Sequence, residues 1–367
     1  MLQAVWFRAS AGQPGRLMLV LHHLVVDGVS WRILAPDLQN IWAALRAGKT
    51  PDTLPVGTSF RAWAYQLQQE ANARRNELNH WLTVLEKPDT LLTSRLLDGA
   101  QDTVAGSDSL RLELPAAFTQ PLLGTIPALF HAGINDVLLC AFALAVNDWR
   151  KTSQTDVLLD LEGHGREEFP GTELSRTVGW FTSMYPVRLE PGATQMADPY
   201  SLGHALKRIK EQLRQVPANG LGYGLLRYLN SQTRQILSQQ QQAQIGFNYL
   251  GRMAVGGDRD WQVAAEANLL DTTADDNFAL PHALSLNALV EERSEGPVLV
   301  SNWSWARALH TEKSISVLGN HWFRWLKAIS QLSTVPDTGG FTPSDITMLS
   351  LKQNSLEKLQ AKWKKKK

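Results

Sequence analysis

Residues 17–31, LMLVLHHLVVDGVSW, constrain the fold more than any other stretch of the chain. An apolar run typical of a buried strand carries His22 and His23 side by side, and it stops at an Asp-Gly turn signal. Successive side chains of a strand point to opposite faces, so only one of the two histidines can face a given cavity. Parity alone does not choose between them. A core histidine bonded to a backbone carbonyl remains the alternative.

A second polar cluster ends another strand pattern, in residues 156–168, DVLLDLEGHGREE. Asp160 and Glu162 share one face of this predicted strand, and apolar residues occupy the other. Glycines on both sides of His164 would let a ligand approach the backbone closely. A carboxylate at the end of a half-buried strand is suited to general acid–base catalysis. A solvated glutamate beside turn glycines is the alternative that the spacing alone favours.

The two clusters together contain residue types that bind metals, namely His22, His23, Asp27, Glu162 and His164. The adjacent histidines diverge in a strand, and no helical histidine pair or cysteine cluster completes a cage. The pattern therefore argues against a metal centre.

Two familiar catalytic motifs are missing from the sequence. Arg32 follows Ser30-Trp31, so no G-x-S-x-G nucleophile elbow is present. The glycine-rich GLGYG at 220–224 lacks the Lys-Ser/Thr of a phosphate loop and is typical of a turn.

Composition narrows the classes of partner. The 36 Lys+Arg residues nearly balance the 35 Asp+Glu residues, so no basic field predicts nucleic-acid binding. The single cysteine, Cys140, excludes a disulfide framework. No secretory signal is visible at the start, and the apolar segment 134–146 is too short to cross a bilayer. We therefore expect a cytoplasmic protein with no membrane partner.

Strand and helix patterns alternate along the chain, which predicts a mixed α/β fold. Helical periodicity covers 31–46 and 60–85. It is lost over 86–109, where Pro, Asp, Gly and Ser accumulate and where we place a boundary or a crossover. Strands are predicted over 156–162 and 183–189, the second an edge strand because it contains a proline.

The motifs resemble one family. HHLVVDGVSW (22–31) resembles the HHxxxDG signature of the condensation-domain superfamily of nonribosomal peptide synthetases. LEGHGREE (161–168), TVGWFTSMYPVRL (177–189), GLGYGLLRYL (220–229) and IGFNYLG (245–251) resemble motifs of its epimerization branch. Condensation domains usually carry a different loop in place of EGHGRE.

The resemblance implies a chloramphenicol-acetyltransferase-like α/β (α+β) fold of two lobes. It implies epimerization of the α-carbon of an aminoacyl or peptidyl thioester held on the phosphopantetheine arm of a carrier domain, with no intrinsic cofactor and no metal. His23 and Glu162 would remove and return the proton, and Tyr249 would donate a hydrogen bond to the enolate oxygen. Asp27 would pair with a cation such as Arg166 and hold the histidine loop.

Asn248 ranks below Tyr249 because it lies on the opposite face of a regular strand. The residues expected to support the site are His22, Asp27, Gly28, Arg166 and Asn248.

In the family a larger part of the first lobe precedes the histidines, so we expect residues 1–100 to be an incomplete N-terminal lobe. Residues 101–345 would form the C-terminal lobe and 346–367 a tail. Two alternatives stay open: a condensation domain that forms peptide bonds, and an inactive remnant or carrier-docking module.

Overall fold

A computed structural model describes residues 1–10, 14–150, 152–167, 169–254, 260–264, 266 and 275–346. Apart from Ile346, the predicted tail over 346–367 lies outside the described residues. The division into lobes at residue 100 stays a prediction.

The strands form a small sheet and a large one. They are β1 (Leu2–Phe7), β2 (Arg16–Leu21), β3 (Ser107–Leu114), β4 (Val157–Gly163), β5 (Ser183–Leu189), β6 (Ile245–Ala254), β7 (Leu284–Arg293) and β8 (Gly296–Ala306). β1 and β2 pair antiparallel as a two-stranded sheet, and the other six are ordered β3-β8-β7-β6-β4-β5. β6 is parallel to both β4 and β7, and the other pairs are antiparallel. The predicted mixed α/β class is confirmed.

Helices pack against both faces of the large sheet. They are α1 (Gly28–Arg46), α2 (Phe60–Ala73), α3 (Leu78–Glu86), α4 (Ala116–Leu123), α5 (Thr125–Phe130), α6 (Ile134–Arg150), α7 (Pro199–Arg214), α8 (Leu221–Gly224), α9 (Arg234–Ser238) and α10 (Glu312–Ser330). α6 and α10 pack on one face of the large sheet, whereas α3 packs against Leu158 on the other face. α6 and α10 supply much of the core, and Trp322 of α10 donates from Nε1 to the Leu138 carbonyl of α6 at 3.1 Å.

Side-chain alternation divides the large sheet into a buried face and an open one. In β7, Leu284, Leu286 and Ala288 pack into the core, whereas Ser285 and Asn287 line a cleft on the other face. The period of two in a strand produces this division. The same alternation along β4 places the carboxylates of Asp160 and Glu162 on the cleft side.

Two predicted boundaries are wrong. The strand expected to carry His22 and His23 ends at Leu21, and His23–Val25 form a 3₁₀ turn instead. The helix expected over 60–85 is divided into α2 and α3 by a 3₁₀ turn at Arg74–Glu77. The edge position of β5, which contains Pro186, is confirmed.

Within the described residues no single helix is long and apolar enough to cross a membrane. The helical pair Ala116–Phe130 and Ile134–Arg150 reaches that length and composition only together, across a bend of 102°.

Adjacent positions on α10 test where the core lies. Leu318 is fully buried and Val317 is 42% exposed. Leu318→Ala should lower the free energy of unfolding by about 2–5 kcal/mol because it opens a cavity, whereas Val317→Ala should change it by less than about 0.5 kcal/mol. Urea unfolding followed by tryptophan fluorescence measures both, and equal effects would contradict this placement of the core.

Candidate active site

The two histidines lie in a turn, not in a strand. His22 caps the 3₁₀ turn, with its Nδ1 accepting from the Leu24 amide at 3.2 Å and its amide donating to the Met1 carbonyl at 2.9 Å. The His23 ring lies beside Trp180, with 4.7 Å between ring centroids. The alternation of side chains in a strand therefore does not distinguish the two histidines, because the strand ends before either residue. Their contacts distinguish them instead: His22 is engaged by the backbone, and His23 stands against a side chain.

Asp27 is buried where the histidine turn enters α1, and it caps that helix. Its Oδ1 accepts from the Ser30 amide and hydroxyl, both at 2.7 Å. Arg166 Nη2 donates to both carboxylate oxygens, at 3.0 and 3.2 Å. The predicted Asp27–Arg166 pair is present. A Cβ on Gly28, the next residue, would meet nothing within 4 Å, so packing does not require this glycine.

Arg166 also holds the loop that presents Trp180. Its Nη1 donates to the carbonyls of Leu174 at 3.1 Å and Thr177 at 2.6 Å, and its guanidinium lies 4.0 Å from the centroid of the Phe181 ring. The Phe181 amide donates to Asp27 Oδ2 at 3.3 Å. Three motifs that are distant in the sequence therefore meet at one buried ion pair.

Gly165 allows two of these loops to touch. It has φ of +64°, and a Cβ there would lie 1.7 Å from the Phe181 carbonyl oxygen. Both the left-handed backbone and the close approach require glycine.

Glu162 stands on the cleft face of β4 and is bound from β6. Asn248 Nδ2 donates to Glu162 Oε2 at 2.7 Å. Tyr249 is the next residue of β6 and packs against the core on the other face. The register shift in β6 follows Tyr249 and does not turn it toward the cleft. The contacts thus favour Asn248 over Tyr249, the reverse of the ranking from sequence.

Glu162 lines a cleft of about 430 Å³. Its lining residues are Asp160, Glu162, Trp180, Met184, Gly246, Phe247, Asn248, Leu280, Pro281, His282, Ser285, Leu286, Asn287, Ser304 and Trp305. Although the Glu162 side chain is accessible, the surrounding protein displaces much of its water, and this desolvation raises the pKa of Glu162 above its ordinary value. The nearby His282 and His23 oppose the rise.

His282 is a cleft residue that the sequence analysis missed. It is 7% exposed, and its Nε2 lies 2.9 Å from Asp160 Oδ2. Asp160 shares the Glu162 face of β4, as its parity indicated. The pairing joins residues 122 positions apart, so no local pattern could link them.

His164 points its Nδ1 at the Arg166 amide, 3.0 Å away. Across the part of the chain that the structure describes, no three His, Cys, Asp or Glu side chains are grouped closely enough to hold a metal ion.

The chain is similar to known proteins over nearly its whole length. The family model described as "Condensation domain" matches residues 2–349. One of the linear gramicidin synthase proteins of Brevibacillus parabrevis is 38% identical over 364 residues, which cover 97% of this chain and 4% of that protein. Tyrocidine synthase 1 of Brevibacillus parabrevis is 31% identical over 93% of this chain and 31% of its own length. The chain thus spans a small part of these relatives.

Solved structures give the same fold. The epimerization domain from the third module of tyrocidine synthetase B matches with a TM-score of 0.75 and 30% identity, covering 90% of this chain and 72% of that one. The first condensation domain of the CDA synthetase matches with a TM-score of 0.58 and 18% identity, covering 91% of this chain and 68% of that one, which supports the fold alone.

Two arginines test the buried ion pair. Arg166→Ala leaves the buried Asp27 charge uncompensated and should lower the free energy of unfolding by about 3–5 kcal/mol. Arg176 pairs with Asp37 at 2.6 Å with both side chains more exposed, so Arg176→Ala should cost at most about 1 kcal/mol. Urea unfolding of both variants gives the comparison, and similar losses would refute a special role for Arg166.

Proposed function

The chain belongs to the condensation-domain family, and within that family we propose that it is an epimerization domain, which inverts the α-carbon of an aminoacyl or peptidyl thioester. The thioester would be carried on the phosphopantetheine arm of a carrier domain, so the reaction calls for no cofactor of the domain itself. The observation that carries the proposal is the environment of Glu162. The side chain is a carboxyl group with a raised pKa, bound by Asn248 and facing a cleft into which His282 and Trp180 also project.

The reaction begins with loss of the α-hydrogen. A base takes the proton, and the electron pair of the C–H bond moves into the thioester to give an enolate with its charge on the carbonyl oxygen. An acid on the other face of the planar carbon then donates a proton to it as the carbonyl re-forms. No atom is gained or lost overall, and only the configuration changes.

Glu162 and His23 are the proposed pair of acid–base groups. His23 is near enough for its charge to act on Glu162, and its ring is held against Trp180. A raised pKa suits Glu162 to this work, because a carboxyl group that stays ionised at working pH is a poor proton donor. The starting configuration of the substrate decides which residue acts first.

Asn248 is the proposed support for Glu162. Its amide hydrogen holds one carboxylate oxygen and leaves the other, Oε1, for the substrate. The hydrogen bond orients the carboxyl group, which favours proton transfer along a defined line.

The similarity to the tyrocidine synthetase epimerization domain supports the proposed assignment of this chain to the epimerization branch of the family.

A second candidate function is condensation, in which an amine on one carrier attacks the thioester on a second carrier, forms the peptide bond and releases the thiol of that second carrier. The match to the condensation-domain family model favours considering it. The two activities give different products, since condensation makes a dipeptidyl carrier and epimerization makes the D-isomer of the same thioester.

Substitution of the proposed bases should abolish inversion. With a carrier domain loaded with L-amino acids in heavy water, Glu162→Gln and His23→Ala should each reduce formation of the α-deuterated D-isomer by about 10²–10⁴-fold. Chiral chromatography and mass spectrometry of the released amino acid measure both quantities.

Matched controls separate chemistry from folding. His321→Ala and Glu190→Gln remove the same side-chain types from α10 and from an exposed position after β5, and both should retain inversion. Dipeptidyl carrier without any D-isomer from the unaltered chain would assign condensation instead.

The pH dependence of inversion should reflect Glu162. Where Glu162 acts as the base, it must be ionised, and its raised pKa moves the loss of activity on acidification to above pH 4.5, the ordinary glutamate value. Initial rates from the isomer whose proton Glu162 removes, measured across the acid range, test this. An acid limb at or below that value would mean that desolvation does not act on the catalytic carboxyl group.

A further inference from the structure

The cleft holds a second carboxylate beside Glu162. Asp160 lies two residues earlier on the same face of β4, which places the two residues about 6–7 Å apart along the strand. Two like charges at such a separation oppose each other's ionisation. An unpaired Asp160 would therefore hinder the release of a proton from Glu162.

His282 is placed to offset that charge. Its Nε2 meets Asp160 Oδ2 at 2.9 Å, and the two side chains are only 6% and 18% exposed. A Cβ on Gly246 would lie 2.6 Å from His282 Nδ1, so the glycine of β6 leaves room for the ring. The hydrogen bond to a carboxylate favours a proton on Nε2. The imidazole is thus oriented and packed, and it lines the same cleft as Glu162.

Arg227 is a second positive group whose charge interacts with that of Asp160. Tyr223 interacts with that carboxylate too. The contact at hydrogen-bond distance, however, is the one with His282.

The other groups that line the cleft beside Glu162 do not offset the Asp160 charge. Asn248 of β6 is neutral, and Met184 of β5 and Trp180 of the neighbouring loop carry no charge. His23 is the other nearby group that can be positive, and it is one of the two proposed bases, so its charge changes during each turnover.

We propose that His282, held by Asp160, is a positioning residue for Glu162: it neutralises the neighbouring carboxylate and so sets the pH range over which Glu162 exchanges a proton. The importance of that range for catalysis rests on the proposed function. The charge relation itself is a property of the folded chain and does not rest on the proposed function.

Direct titration of Glu162 tests the charge relation without any substrate. In the full chain labelled with ¹³C at the glutamate carboxyl carbon, the Glu162 signal is identified by its loss in Glu162→Gln. His282→Gln keeps a hydrogen-bonding amide but cannot be positive, so the midpoint of the Glu162 titration should move up by about 1 pH unit. The double variant Asp160→Asn/His282→Gln removes both charges and should return the midpoint at least halfway to that of the unaltered chain. A structural defect would not be repaired in this way.

The matched control is His321→Gln on α10. His321 lies 3.7 Å from Asp148 on a different part of the fold, and its replacement should leave the Glu162 titration unchanged. An unchanged midpoint in His282→Gln, or a larger shift in the double variant than in the single one, overturns the proposal.

Deuterium exchange from aminoacyl pantetheine thioesters, measured with the isomer whose proton Glu162 removes, then connects the pair to catalysis. The acid limb of the exchange rate should move up in His282→Gln by the same amount as the titration, and it should move back in the double variant. If the unaltered chain exchanges no α-hydrogen from any thioester tried or from a loaded carrier domain, the proposed function fails, while the titration still decides the role of His282. If exchange occurs but its acid limb stays fixed in His282→Gln, the proposal for His282 fails and the proposed function stands.

Discussion

The ion pair between Asp27 and Arg166 is the interaction on which the candidate site depends. It joins residues 139 positions apart, and both side chains are nearly inaccessible to water. A buried charge is tolerated only when it is paired and hydrogen-bonded, and here Ser30, Thr177 and the Phe181 amide complete the arrangement. The consequence is geometric: the turn that bears His23 and the loop that bears Trp180 are fixed relative to the strand that bears Glu162.

Within the site that this ion pair holds together, desolvation and nearby charges have opposite effects on the ionisation of Glu162. Protein around the cleft disfavours the ionised carboxylate, while His23 and His282 favour it. A group held near this balance can both take and give a proton, which inversion of a carbon centre needs in its two directions. The hydrogen bond from Asn248 adds orientation. The same cleft walls that shield the carboxyl group would also shield an enolate from water.

Local periodicity is enough to find part of this site, because alternation along β4 places Asp160 and Glu162 on one face whatever the rest of the chain does. It fails at His22 and His23, where the strand stops at Leu21 and a 3₁₀ turn replaces the period of two. His282 could not be found in this way, because its partner is set by the pairing of β4, β6 and β7 and not by neighbours in sequence. The Asp27–Arg166 pair could be predicted only because the family resemblance brings the two motifs together.

Two different groups are proposed to act on opposite faces of one carbon. The most direct measurement is the early time course of isotope incorporation in heavy water, with the starting and inverted isomers separated before mass spectrometry. Two bases predict that the inverted isomer carries solvent deuterium from the first turnovers while the remaining starting isomer stays unlabelled. Equal labelling of both isomers at early times would contradict the account, because it would mean that one solvent-exchanged group protonates the carbon from both faces.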